Sequence, residues 1–110
     1  MTLYDIIDEI QDRTAMYVGD GSILQLRAFL SGFSWAENKL GVKLAPETPS
    51  FGDFHDWIAE KFGWYESTAG WANIIRQEYD GDEQRAGRAF FEWLSEFRNE
   101  KQLAPDDPRP

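Results

Sequence analysis

The sequence predicts an all-α fold, a single-domain bundle of about five helices. Apolar residues recur at spacings of three and four in five segments, and residues typical of helix caps flank most of these segments. The sequence has no sustained alternation of apolar and polar residues, the pattern that predicts strands. With 5 tryptophans, 4 tyrosines and 8 phenylalanines in 110 residues, the chain has enough apolar area for one core. We therefore expect one helical domain over residues 1–103.

The first two predicted helices have the clearest caps. In the first, over about residues 2–12, Thr2 is placed as the N-cap and Asp5 as its capping-box partner. The apolar stripe of this helix consists of Leu3, Ile6, Ile7 and Ile10. The second helix runs from a Ser22 cap to a terminating Gly41. The residues predicted to form its core-facing stripe are Leu26, Phe29, Leu30, Phe33 and Leu40.

Three more helices are predicted after an irregular connection over residues 42–52. The third lies between Asp53 and Gly63, the fourth covers about residues 71–79, and the last begins at Asp82. The apolar stripes of these helices contain three tryptophans that we expect in the core, namely Trp57, Trp71 and Trp93. Residues 104–110 contain three prolines, and we expect them to form a disordered C-terminal tail.

The segment between the first two helices has a second interpretation. Residues 16–18 are Met-Tyr-Val, which favour strands, and they would be able to pair with residues 42–44 in a short two-stranded ribbon. Gly19 and Gly21 are expected to take positive φ and to turn the chain. A phosphate site at this turn would need the lysine and the spacing of a P-loop, which the segment lacks.

The composition limits the expected partners and compartment. The net charge of −9 repels phosphate backbones and anionic lipids, so we expect no nucleic-acid or membrane partner and favour a protein with a basic surface. The other explanation of the acidity is solubility. The chain has no cysteine and no apolar run near the roughly 18 residues that span a bilayer, so we expect a cytoplasmic protein. The sequence leaves the oligomeric state open.

His55 is the only histidine and the candidate for general-base or metal chemistry. Asp53 and Asp56 are close to it in sequence, but catalysis also needs an oriented reacting partner, and a metal needs three or four convergent ligands. The chain offers one imidazole and no thiolate. We therefore expect no enzyme activity, no metal and no cofactor. A hydrolase that uses His55 is the alternative, and it predicts that His55→Ala abolishes an activity.

Carboxylates beside exposed aromatic side chains are typical of protein interfaces, and they provide the candidate partner-binding residues. Two acidic groups are expected, one on the first helix and one around the turn before the last helix. Two aromatic segments accompany them. The full candidate set is Asp5, Asp8, Glu9, Asp12, Trp35, Glu37, Trp64, Tyr65, Glu66, Glu78, Asp80, Asp82 and Glu83.

Three motifs along the chain allow a comparison with a known family. Residues 13–19 are Arg-Thr-Ala-Met-Tyr-Val-Gly, residues 22–33 follow the pattern Ser-hydrophobic-X-X-Leu-X-X-Phe-Leu-X-Gly-aromatic, and residues 54–58 follow Phe-X-X-Trp-hydrophobic. In this order they resemble a group of short bacterial proteins found as immunity proteins beside polymorphic toxins. That group has proline where this chain has Thr14. The resemblance covers about residues 3–97 and concerns structural positions more than a binding site.

The resemblance implies a non-enzymatic immunity protein. Such a protein binds its cognate toxin and neutralises it by occluding the active or substrate-binding surface. The alternative is a small acidic regulatory or adaptor module that binds another cytosolic protein through the same kind of surface. Because both functions need only an interaction surface, the toxin and the binding face are not identified by the sequence.

Overall fold

A computed structural model of the chain describes residues 1–64 and 69–102, in which six α-helices surround a shared apolar core. Their bounds are α1 Leu3–Asp12, α2 Thr14–Val18, α3 Ile23–Leu40, α4 Phe54–Phe62, α5 Trp71–Glu78 and α6 Glu83–Gln102. A 3-10 turn, Phe51–Asp53, precedes α4. The all-α class is confirmed, and no strand occurs in the described ranges. The predicted tail at residues 104–110 lies outside the described residues.

The predicted caps of the first two long helices are confirmed. The Thr2 hydroxyl accepts a hydrogen bond from the Asp5 backbone N–H, and the Asp5 carboxylate accepts one from the Thr2 N–H at 2.8 Å. The Ser22 hydroxyl accepts from the Gln25 N–H at 3.1 Å at the start of α3. A side-chain cap of this kind stabilises a helix by about 1 kcal/mol. Gly41 ends α3 in the left-handed conformation that glycine adopts most readily.

The prediction of five helices is wrong by one, because residues 14–18 form α2. The alternative two-stranded ribbon is also wrong, since residues 16–18 are helical and residues 42–44 are irregular. Two local features override the strand preference of this segment. The Thr14 hydroxyl donates to the Ile10 carbonyl at 3.0 Å, which keeps α2 against the end of α1, and Val18 is buried. Tertiary packing and local hydrogen bonds therefore decide this segment.

Aromatic side chains form the centre of the core. The fully buried ring of Phe54 lies within 5.5 to 6.1 Å of five other rings, measured between centroids, and three of these contacts are edge-to-face. The five rings belong to Phe51, Trp57, Trp71, Phe90 and Phe97. The core prediction is confirmed for Trp57, whereas Trp71 and Trp93 are half-buried at the edge of the core.

The closest approach between elements joins α6 to the turn before α3. Gly87 of α6 is buried, and a Cβ atom placed on it would lie 2.0 Å from the backbone oxygen of Gly21. Gly21 itself has φ of +77°, so the prediction of a positive φ at this turn is confirmed. Beside this contact the Asp20 carboxylate accepts hydrogen bonds from the Ser22 N–H and from the Gln84 amide. The turn therefore lies directly on the first turns of α6.

The second half of α3 extends beyond the core. No residue of α3 after Leu30 is buried, although Phe33, Ala36 and Glu37 are half-buried, so the last ten residues of the helix, about 15 Å, lie at the surface. The predicted core stripe is wrong here, because Leu40 is 75% exposed. The chain after α3 returns beside the helix, and the Leu44 N–H donates to the Glu37 carboxylate at 3.3 Å. We call residues 31–43 the α3 arm.

Gly87→Ala is expected to destabilise the protein strongly. The added methyl group would overlap the Gly21 carbonyl, so α6 and the turn must separate, at a cost of about 3 kcal/mol. The free energy of unfolding in urea, followed by the loss of helical circular dichroism, measures this cost.

Gly32→Ala in α3 is the matched control, because no atom lies within 4 Å of the Cβ position at residue 32. This variant should be more stable than the natural chain by up to about 1 kcal/mol, the difference in helix propensity between glycine and alanine. A Gly87→Ala variant that unfolds at the same urea concentration as the natural chain would contradict the close contact.

Candidate interaction surface

The outer face of α1 carries four carboxylates in one row. They occupy positions i, i+3, i+4 and i+7, and all four are exposed. The opposite face of the helix contributes Tyr4, Ile7 and Ile10 to the core. The apolar and the acidic residues of α1 repeat with the same helical period. The orientation that buries the apolar face of α1 therefore also places the carboxylates side by side in solvent. We call this row the acidic stripe; it consists of Asp5, Asp8, Glu9 and Asp12.

Three of the four carboxylates in the acidic stripe have partners within the chain. Asp5 closes the capping box of α1, Asp8 pairs with the Arg98 guanidinium at 3.0 Å, and Glu9 accepts a hydrogen bond from the Tyr17 hydroxyl. These bonds are solvent-accessible and leave further lone pairs of each carboxylate open. Asp12 has no side-chain hydrogen bond or ion pair among residues 1–64 and 69–102.

Arg98 fixes α1 to the last helix. Its guanidinium lies 4.4 Å from the centre of the Tyr4 ring while it pairs with Asp8, so one side chain of α6 holds two residues of α1. The Tyr4 hydroxyl in turn donates to the carbonyl of Pro49 in the connection before α4. Burial raises the pKa of the Tyr4 phenol well above its usual range, and the negative charge of Glu47 adds to this shift.

Helix α2 follows α1 after one residue and carries two further side chains of interest, of which Tyr17 contacts the acidic stripe through Glu9. Met16 is 69% exposed, although it is a large apolar residue. The Tyr17 ring packs edge-on against Phe29 at 6.0 Å, and its hydroxyl bonds to Glu9, a hydrogen bond that raises the pKa of Tyr17. Methionine and tyrosine are enriched at protein interfaces. The sequence prediction missed both residues as partner-binding candidates because it assigned them to a turn or a strand.

In the second acidic group, around the turn between α5 and α6, two of the four carboxylates have partners in the described part of the chain. Glu78 accepts a hydrogen bond from the Trp64 indole at 2.7 Å, and Asp82 caps α6 by accepting from the Arg85 N–H at 3.0 Å. Asp80 takes a positive φ of 59° in the turn. Asp80 and Glu83 have no side-chain hydrogen bond or ion pair in the described part of the chain. No large apolar side chain of this turn is exposed, so it lacks an anchor.

The two aromatic candidates in the described ranges have different surroundings. Trp64 packs partly against the core, and Tyr65 and Glu66 lie outside the described residues. Trp35 is on the α3 arm, is 64% exposed and makes no ring contact among the residues that the structure describes. Glu37 bonds the backbone of Leu44. The structure therefore brings Trp64 together with Glu78, and it leaves Trp35 without a carboxylate partner.

His55 lies half-buried on α4 and forms no hydrogen bond within residues 1–64 and 69–102. The same residues contain no group of three or more potential metal ligands. A groove of about 560 Å³ between α3 and the connection before α4 has an apolar floor that includes Phe33 and Trp71. The two carboxylates at its rim, those of Glu37 and Glu47, accept hydrogen bonds from backbone N–H groups. Both carboxylates of the groove therefore bond the backbone of the connection that lines it.

None of the helices in the described ranges combines the length and the apolar character that crossing a bilayer requires. Comparisons of the chain with protein-family models, with curated proteins and with solved structures found no match. On the described surface, α1 and α2 combine a row of four exposed carboxylates with Met16 and Tyr17, two residue types that are enriched at protein interfaces.

The stability of the protein is expected to fall steeply above about pH 10, the usual pKa of a tyrosine. Because the folded state raises the pKa of Tyr4, the contribution of the protonated phenol is complete below that pH. It decreases as the pH rises further, since the unfolded chain releases the proton first. The expected slope from Tyr4 is at most about 1.4 kcal/mol per pH unit.

Urea unfolding of the natural chain and of Tyr4→Phe at pH 8 and pH 10.8 measures this effect. Tyr4→Phe should be less stable at pH 8, because it loses the bond to Pro49, and should lose less additional stability at pH 10.8. Equal losses in the two proteins would show that Tyr4 ionises normally in the folded state.

Proposed function

We propose that this protein binds a toxin with a basic surface and neutralises it by covering the active or substrate-binding surface of that toxin. The observation that carries the proposal is the acidic stripe with Met16 and Tyr17 beside it, on two helices fixed to the core. The sequence resemblance to immunity proteins at residues 13–33 and 54–58 supports the same function.

The charge of the stripe explains recognition of a basic partner. Four adjacent carboxylates on a chain with a net charge of −9 attract a cationic surface and raise the rate of encounter. Exposed carboxylates contribute less to the strength of a complex than a desolvated apolar side chain does. Met16 supplies that apolar contact, and the ring of Tyr17, held by Phe29 and Glu9, supplies a second one.

Occlusion requires a rigid surface, and α1 meets this requirement. Its capping box fixes the N-terminal end, the Arg98 pair fixes the middle, and the Thr14 bond fixes the end that leads to α2. A toxin that cleaves nucleic acid binds phosphates with cationic side chains. The carboxylates of the stripe would then occupy the positions of those phosphates and exclude the substrate.

Co-expression tests the proposal directly. The product of the neighbouring gene is expressed in bacteria with and without this chain, and growth and binding of the purified pair are measured. Protection and a stable complex are expected. A chain that binds the product without protecting the cells would instead indicate a regulatory or adaptor module. Absence of both binding and protection would exclude the immunity function for that pair.

Asp12→Lys is expected to slow association with the toxin about tenfold at low ionic strength, and to have little effect at 0.5 M salt, because screening removes the attraction. Asp12 has no intramolecular partner in the described residues, so the variant should remain folded. Surface-based kinetics gives both rate constants. Glu60→Lys makes the same charge change in the last turn of α4 and is the control.

Met16→Ala should raise the dissociation rate constant of the toxin complex at least fivefold, because it removes the apolar contact. It should leave the association rate constant unchanged, because the charge is unchanged. If Asp12→Lys and Glu60→Lys slow association equally, only the total charge matters, and α1 is not the binding face.

A further inference from the structure

The α3 arm is the part of the described surface where exposed apolar side chains concentrate. Of the five large apolar residues that are exposed in the described ranges, three lie within eight residues of one another. They are Trp35, Leu40 and, at 55% exposure, Val42. Large apolar side chains that stay in solvent and lie close together along the chain are candidates for an interaction site. The core of this chain does not use them, because the last buried residue of α3 is Leu30.

The arm also differs from the rest of the chain in charge. Residues 31–43 contain two cations, Lys39 and Lys43, and one carboxylate, Glu37, so their net charge is +1. Because the whole chain carries −9, all other residues together carry −10. In the described residues the two lysines form no ion pair; the two ion pairs there are Lys61–Glu100 and Arg98–Asp8. The arm is therefore a cationic segment of an otherwise acidic chain.

We propose that the α3 arm is a self-association surface that docks on the acidic stripe of a second copy of this chain. Lys39 and Lys43 face carboxylates of the stripe, and Trp35 packs on the exposed Met16 beside it. The surface of the second copy offers four exposed carboxylates as partners for the two lysines, and the exposed Met16 on α2 as an apolar contact. The acidic body repels nucleic acids and anionic membranes, which makes an acidic protein surface the fitting occupant.

The repulsion between two acidic chains does not prevent this contact. At physiological salt the Debye length is about 8 Å, so the net charges are largely screened while groups at contact still attract each other. The expected association is nevertheless weak, with a dissociation constant in the micromolar to millimolar range, because exposed ion pairs contribute little to the free energy of binding. Self-association would cover the acidic stripe, so a partner that binds the stripe tightly would replace the second copy.

Sedimentation equilibrium of the full chain alone tests the proposal. The weight-average mass should rise above that of one chain as the protein concentration increases. Trp35→Ser should lower the association constant at least tenfold, and Lys39→Glu by a similar factor. Lys101→Glu is the matched control, because Lys101 is also a basic residue in the last turn of its helix and lies outside the arm. The control should associate as the natural chain does.

A charge exchange identifies the surface on which the arm docks. Asp12→Lys alone should weaken self-association, and adding Asp12→Lys to Lys39→Glu should restore association toward the natural value. A chain that stays monomeric up to millimolar concentration overturns the proposal, as does association that Trp35→Ser leaves unchanged. Association that is lost in Lys39→Glu and not restored by the exchange overturns docking on the acidic stripe.

The toxin-protection assay separates this proposal from the proposed function. Lys39→Glu lies outside the stripe and outside the candidate partner-binding residues, and it should protect cells as the natural chain does. A monomeric chain that protects would leave the immunity function intact and overturn self-association. A chain that self-associates but neither binds the toxin nor protects against it would support self-association and overturn the immunity function.

Discussion

The contact of Gly87 with the backbone of Gly21 is the constraint on which the surfaces of this protein depend. With no side chain at residue 87, α6 lies directly against the turn that ends α2 and begins α3. Ser22 caps α3 at this point, and Asp20 joins the turn to Gln84 of α6. The contact therefore determines where α2 presents Met16 and Tyr17, and in which direction α3 leaves the core.

The way in which α1 and α3 pack on the core produces two surfaces of opposite charge. Helix α1 buries its apolar face against the core, so the residues on its opposite face form the acidic stripe. Helix α3 is longer than the core that it covers, so its last ten residues present Trp35 and Lys39 to solvent. A small domain buries only part of its apolar area, and here the unburied part concentrates at one end of one helix. Charge and exposure thus divide the molecule into an acidic face and a cationic arm.

Sequence periodicity predicted the elements whose determinants are local. The Thr2 and Ser22 caps and the left-handed Gly41 follow from interactions over four or five residues, and all three are confirmed. Helix α2 is not predicted because five residues are too few to show a helical repeat of apolar residues, and the burial of Val18 decides its conformation. The exposure of Leu40 is not predicted because a helical repeat of apolar residues does not show at which residue the packing against the core ends. Of the candidate site, the carboxylates of α1 were predictable, whereas the exposure of Met16 depends on tertiary structure.

The proposed function places the partner on α1 and α2. Amide hydrogen exchange of the chain, free and in complex with the neighbouring gene product, tests this placement. Slower exchange on binding is expected across residues 3–18, and no slowing at residues 78–83. Slowing confined to residues 78–83, with residues 3–18 unchanged, would contradict it and assign the interaction to the turn before α6.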